Sequence, residues 1–305
     1  MLFRSKNDKK EASLVRARLF FGQACTRRLA LGCFNLAVLY ESGQGGPKNY
    51  TMARTNYEAA CSNGYKEACV TLGEYWEIGL GGRVDVAISR KLLWNACKTN
   101  LSSGCWATAD FLLKRKEYSL AREVLAQGCK LGHPSACANL GYMAALGIGG
   151  PVDGKEAVVA LDKSCKADNP HGCNNLGVTF EYGATGKPDL IRAREAYDKA
   201  CKLENVNACV NLGVAFEYGE QATESAQKAR ASFGRACKGG NLLACQRVGM
   251  IWTWDYRRKG DMMAAVVAAD EQCQEGKGES CRMLNLFWQM QHERIEAGPP
   301  SALDH

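Results

Sequence analysis

Sixteen cysteines supply most of the reactive chemistry this chain could carry. They could bridge, bind a metal as thiolates, or remain buried thiols. All of them fall into eight pairs with a spacing of eight residues: Cys25 with Cys33, Cys61 with Cys69, Cys97 with Cys105, Cys129 with Cys137, Cys165 with Cys173, Cys201 with Cys209, Cys237 with Cys245, and Cys273 with Cys281. First members recur every 36 residues, except for a step of 32 from Cys97 to Cys129. No cysteine is left over, so the spacing predicts a bridge inside each pair. Free thiols acting as small hydrophobes are one alternative. A metal site is another, because His133 and His171 fall inside cysteine-bracketed stretches. There is no Cys-x-x-Cys and no haem attachment motif, so solvent-facing turn histidines are the reading preferred over thiolate–imidazole ligands. No cofactor or metal is expected.

A fixed period of this length is the mark of a stacked repeat array. Such an array has no single core, so one continuous body over 13–296 is expected rather than two globular domains. Residues 1–12 and 297–305 read as disordered tails, the first of them basic. Within a repeat, positions are counted from the second cysteine. Three on, the residue is apolar in Leu36, Leu72, Leu140, Leu176, Leu212, Val248 and Leu284. Four on, it is tiny in Ala37, Gly73, Ala109, Gly141, Gly177, Gly213 and Gly249. Seven on, it is aromatic in Tyr40, Trp76, Phe180, Phe216, Trp252 and Trp288. These spacings share one face of an α-helix, helix A. Glycine there costs about 1 kcal/mol of helix propensity, which suggests a close neighbouring backbone.

Glycine-rich turns follow, as in Gly43-Gln44-Gly45-Gly46, Gly79-Leu80-Gly81-Gly82 and Gly147-Ile148-Gly149-Gly150. They are expected to end helix A in a left-handed cap. A second helix, helix B, then runs to the next first cysteine. It carries alanine eight before that cysteine and a large apolar residue four before it, as in Ala193 and Tyr197. The short unit replaces the glycine turn with Lys114-Arg115-Lys116-Glu117, so a tight A–B link and a local change of curvature are expected there. The fold class is therefore all-α: a right-handed α/α superhelix of about eight disulfide-stapled helix-turn-helix repeats.

Residues 173–201, CNNLGVTFEYGATGKPDLIRAREAYDKAC, carry the repeat most fully. The motif resembles the SEL-one-like repeats. Its paired cysteines make it similar to the Helicobacter cysteine-rich protein subfamily. The seventh and eighth units depart from it: Arg247-Val248 replaces Asn-Leu, and Trp254-Asp255-Tyr256 replaces the glycine turn. The resemblance implies a tetratricopeptide-like scaffold and, through that subfamily, an alternative reading as a penicillin-binding or β-lactamase-type hydrolase. A serine β-lactamase would need Ser-x-x-Lys with Ser-Asp-Asn and Lys-Thr-Gly elements. Only Ser225 with Lys228 fits the first, and the other two are absent. Ser225 also falls where helix B should begin, which fits a capping role. H-E-x-x-H and G-x-S-x-G are missing too, so no catalytic residue is assigned.

Binding is the favoured function, on the helix A face that lines the inner side of a curved array. Two after the second cysteine stand Asn35, Asn139, Asn175 and Asn211. Nine after it stand Tyr182, Tyr218 and Trp254, and eight after it Glu41, Glu77, Glu181 and Glu217. Amide side chains both donate and accept, so a ladder of them can pair with a peptide backbone of any sequence, with aromatic residues adding contact area. The bland alternatives are asparagines that satisfy free helix-start amides and glutamates that simply favour solvent. The partner would be a protein or extended peptide held by a monomer. A net charge of +7 is spread over all repeats with no aromatic-basic motif, which argues against nucleic acid. No apolar run approaches the ~18 residues of a membrane span. Paired cysteines point to an oxidising compartment. Secretion or the periplasm is preferred, although MLFRSKNDKK is not an intact signal segment. An assembly factor of the mitochondrial intermembrane space is the second alternative.

Overall fold

The computed structural model describes residues 6–217, 222–241, 243, 244 and 247. Its described residues form thirteen α-helices and no strands. Two compact units divide the chain, 1–164 and 165–305. The first holds α1 (Lys6–Thr26), α2 (Ala30–Ser42), α3 (Tyr50–Ser62), α4 (Lys66–Ile78), α5 (Val86–Lys98), α6 (Ser102–Lys114), α7 (Tyr118–Lys130), α8 (Pro134–Leu146) and most of α9 (Gly154–Lys166). The second holds α10 (Pro170–Glu181), α11 (Leu190–Lys202), α12 (Val206–Glu217) and α13 (Ala222–Lys238). Even-numbered helices are the expected helices A and odd-numbered ones the helices B. Within each unit every helix packs on the next in sequence, which is the local architecture of an α/α solenoid. The segment expected as a tail over 1–12 is helical from Lys6 onward, because Lys6 to Ala12 are mostly good helix formers that extend α1.

Six disulfides close as the spacing predicts. Cys25 bridges to Cys33, Cys61 to Cys69, and Cys97 to Cys105. Cys129 bridges to Cys137, Cys165 to Cys173, and Cys201 to Cys209. Their Cα–Cα distances run from 4.2 to 4.7 Å. Cys105 and Cys137 are buried, and Cys69 is half-buried. Of the two remaining expected bridges, Cys245, Cys273 and Cys281 lie outside the described residues. Each bridge spans a tight turn from helix B to the next helix A. Three residues after the first cysteine the backbone is left-handed in every described repeat: Arg28, Gly64, Asn100, Gly132, Asp168, Glu204 and Gly240. The residue before the second cysteine must be small because the helices nearly touch there. A Cβ on Gly104 would stand 2.7 Å from Ala96 Cβ and 2.9 Å from the Cys97 nitrogen.

Inside a repeat, the tiny residue of helix A receives the large residue of helix B. A Cβ on Gly177 would stand 2.5 Å from the Tyr197 ring, and one on Gly213 would stand 2.7 Å from the Phe233 ring. The close neighbour of these glycines is therefore mainly a side chain, where a backbone was expected. Among the described glycines of this series, Gly141 also meets a main-chain atom closely, Ala157 O at 2.9 Å, and Gly73 meets Ser89 O at 3.5 Å. Packing volume sets the choice: a large side chain four residues before a cysteine leaves room opposite for glycine or alanine, as at Ala37 in the repeat that carries Tyr57.

The expected left-handed caps are present at Gly43, Gly79 and Gly147, with φ of 72°, 77° and 69°. The later glycines of each loop do something else. They let the loop lie against the preceding helix B, whose arginine seven residues before the cysteine reaches across. Arg18 donates to Leu39, Gly46 and Pro47 carbonyls, and Arg54 to those of Leu80 and Arg83. Arg122 donates to Pro151 O and pairs with Glu156. Arg18 also stacks on Tyr40 at 4.3 Å and Arg54 on Trp76 at 3.4 Å. In the short unit the loop is reduced to Arg115–Glu117, with Lys116 left-handed at φ 61°. There Arg90 takes a bidentate pair with Glu117, at 3.0 and 2.8 Å, in place of loop carbonyls. These guanidiniums join one repeat to the next.

Candidate binding surface

The second unit brings the asparagine pattern together. Asn175 lies on α10 and Asn211 on α12, both half-buried. Asn211 Nδ2 donates to Asn174 Oδ1 at 3.1 Å, and Asn174 Nδ2 donates to Asn175 Oδ1 at 3.4 Å. The three amides form a directional chain that leaves the Asn175 amino group and the Asn211 carbonyl at its ends. Tyr182, at the C-terminus of α10, is 80% exposed. In the first unit Asn139 turns back on its own helix, donating to Ser135 O at 3.2 Å. Asn35 is half-buried on α2. Tyr218 and Trp254 lie outside the described residues.

None of these four asparagines stands at a helix start. Those amides are served from one turn earlier: Asn169, Asn205 and Asn241 accept from Gly172, Ala208 and Ala244, each at 2.9 Å. His133 does the same for α8, its Nδ1 accepting from Ala136 N at 3.3 Å while its ring stacks on Trp106. Burial holds its imidazole below the ordinary range. His171 is exposed at the start of α10. No group of three or more His, Cys, Asp or Glu among the described residues is placed to hold a metal ion. Helix α13 begins at Ala222, so Ser225 sits inside its first turn, past the capping position expected for it.

The glutamates eight after the second cysteine have partners inside the protein. Glu41 accepts from the Tyr57 hydroxyl and Glu181 from the Tyr197 hydroxyl. Burial first, and then the neighbouring carboxylate, pushes both phenols well above the usual tyrosine range. Glu77 pairs with Arg115 at 2.9 Å and Glu217 with Arg247 at 2.6 Å. A rule legible in the chain sorts these cases. Where the residue sixteen positions after the glutamate is tyrosine, as for Glu41 with Tyr57 and Glu181 with Tyr197, the hydroxyl is the partner. Where it is Leu93 or Phe233, an arginine from further along is recruited. Tyr197→Phe removes one charge-assisted bond. It is expected to lower unfolding free energy by about 1.5–3 kcal/mol, measured by urea denaturation with an unchanged m-value.

Helix pairs, glycine caps and B-to-A disulfide turns define an α/α repeat protein. Comparison with protein families matches the Sel1 repeat at residues 30–65, 134–169, 170–205 and 206–241. Those stretches are Sel1 repeats. The chain is similar in structure to c5321, a protective antigen of uropathogenic Escherichia coli strains displaying an SLR fold, at TM-score 0.67 and 19% identity. That match covers 88% of this chain and 59% of the other, so the chain spans less than two thirds of its length. A Sel1 repeat protein from Oxalobacter formigenes matches at TM-score 0.58 and 21% identity, over 76% of this chain and 97% of that one. At these identities the likeness is one of fold. No curated protein matched the sequence.

Proposed function

We propose that the protein is an interaction scaffold that holds an extended peptide segment of a partner protein against its helix A face, without chemistry of its own. The amide chain Asn211–Asn174–Asn175 beside the exposed Tyr182 carries this reading. Such a chain is held in place before a ligand arrives, so little side-chain freedom is lost on binding. Its free ends offer donors at Asn175 and an acceptor at Asn211, the pair of functions a peptide backbone needs. Tyr182 adds a large amphipathic ring with few rotamers to order. The disulfides favour an oxidising compartment, and we place the protein outside the cytoplasm, secreted or periplasmic. Among the described residues no helix is long and apolar enough to cross a membrane.

The test uses peptides selected from a random display library on the immobilised protein. Asn211→Ala is expected to cost ~1–3 kcal/mol of affinity by leaving backbone groups unpaired, and Tyr182→Ala a similar amount through lost contact area. Asn211→Ala also releases Asn174, so a small drop in melting temperature accompanies it. Glu195→Ala, on the exposed side of α11, is the control. Lys199 and Asp198 serve less well in that role, since both already form ion pairs. Peptides that bind all three variants like the parent would remove this reading.

A further inference from the structure

We infer that α1 is a docking site for one α-helix of a partner protein, seated where α1 has no helix A of its own; this site is separate from the peptide-binding face proposed above. The other helices B, α3, α5, α7, α9, α11 and α13, each pack on the helix A that precedes them. They hold the residue eight before the cysteine and the large residue four before it at 1% exposure or less. In α1 the same two positions are Ala17 and Phe21, and both are only half-buried. Phe20, next to Phe21, is 66% exposed. Its counterpart Asn56 is buried, with Oδ1 3.6 Å from Cys25 Sγ in the bridge at the start of α2. A helix A seated on α1 would begin in the same place, against Phe20. Among the described residues the close neighbours of α1 are α2 and α3. The chain enters α1 as helix from Lys6, nineteen residues before Cys25, whereas α3, α5, α7, α9 and α11 begin eleven before theirs. The positions that form the A–B loop elsewhere are helical here, so no loop folds a helix A back onto α1.

The neighbouring face of α2 continues the site. Helix α4 lies beside α6, and α6 beside α8. Asn211, two after its cysteine, reaches back to Asn174 on the helix A before it. In α2 the residue at that register is Asn35, and Leu31 and Val38 stand four before and three after it. They therefore share its backward-looking face, and both are exposed. At the Leu31 position the later helices A carry Glu67, Ser103, Ser135, His171 and Asn207. A repeat that ends an array in water needs a polar outer face. Here the end is the more apolar part, which marks a contact surface. The A–B pairs inside the molecule define what fits. Phe233 presses on Gly213 and Tyr197 on Gly177, so a helix seated on Phe21 needs glycine or alanine at the contact. By the same pattern it carries leucine one residue before and an aromatic residue three after, as in Leu212 and Phe216. Phe21 has no hydroxyl, so the acid that Glu181 offers to Tyr197 is not required. Every described helix A already has its own helix B, so a second copy has none of these to give and the occupant is a helix of another protein.

The probe is a hydrocarbon-stapled, fluorescein-labelled peptide with the α12 sequence Val206–Glu217, carrying Cys209→Ser and stapled on the side away from Gly213. Binding to the whole protein is read by fluorescence anisotropy. Saturable binding that Phe20→Asp weakens at least about tenfold supports the site. Phe20→Asp is expected to fold, because the side chain it replaces is already open to water, and circular dichroism checks this. Leu19→Asp is the matched control. Leu19 is 64% exposed, but it stands two residues from both Ala17 and Phe21 and so lies on the opposite side of α1. It should leave binding unchanged. A probe carrying Gly213→Leu should bind at least about tenfold more weakly, since the added side chain takes the space that Phe21 needs. Absence of binding to the parent, equal binding to Phe20→Asp, an equal loss from Leu19→Asp, or full binding of the Gly213→Leu probe overturns the assignment. So does a dimer of the protein alone, seen by sedimentation velocity and abolished by Phe20→Asp, because the occupant would then be a second copy.

Discussion

Complete reduction of the protein is expected to unfold it at room temperature. Each described bridge closes a loop of eight residues along the chain. In the chain-entropy account a loop that short stabilises by about 2–3 kcal/mol. Six of them together reach or exceed the ~5–15 kcal/mol that separates most folded domains from their unfolded states. The apolar contacts between helices oppose that loss, but a repeat buries its faces only against its neighbours. Far-UV circular dichroism with and without a phosphine reductant measures the effect. Helical signal should fall at room temperature, and no cooperative melt should remain on heating. Removing one bridge, by Cys165→Ala with Cys173→Ala, should cost about 2–3 kcal/mol. An unchanged melt after reduction would mean that interhelical packing alone holds the array.

Gly81→Ala is expected to be the most damaging single substitution outside the cysteines. Gly81 has φ +68°, and a Cβ there would collide with Tyr50 O and stand 2.6 Å from Tyr50 C. The left-handed backbone alone costs an alanine about 1–2 kcal/mol. The clash is with main chain at the first turn of α3, which cannot step aside without moving the helix. Arg54, whose guanidinium donates to carbonyls of the same loop, would be displaced with it. A total loss of about 3–5 kcal/mol follows. Gly64→Ala is the matched control: it also has positive φ, at +93°, but faces open space. Arg28, Asn100, Asp168 and Glu204 occupy the equivalent position with the same backbone sense, so that site tolerates a side chain and should lose only about 1 kcal/mol. Equal losses at both glycines in urea denaturation would contradict the loop-packing account.

The repeat, its helix pairs and its bridges were legible because they depend on spacing. Helices and disulfide turns need fixed intervals, and a period of 36 residues displays them repeatedly. Partner choice was harder to read. Glu41 and Glu181 look like a solvent-facing acid row until Tyr57 and Tyr197 are brought over them by the hairpin. The arginines seven residues before most first cysteines, such as Arg18, Arg54 and Arg122, were visible as a repeated letter. Their role depends on loop carbonyls of the following repeat, which no periodicity displays. Among the asparagines the split is also tertiary. Asn211 finds Asn174 across two helices, while for Asn139, at the same register, the residue of the preceding repeat that corresponds to Asn174 is Trp106, and its amide turns to Ser135.

Site-specific photo-crosslinking tests the central claim most directly. A benzophenone amino acid replaces Tyr182 on the helix A side or, in a separate protein, Glu195 on the helix B side. Each is irradiated with a library-selected peptide, and the adducts are mapped by mass spectrometry. The account predicts adducts from position 182, competed away by unlabelled peptide, and none from position 195. Competed adducts from position 195, with none from position 182, would contradict it.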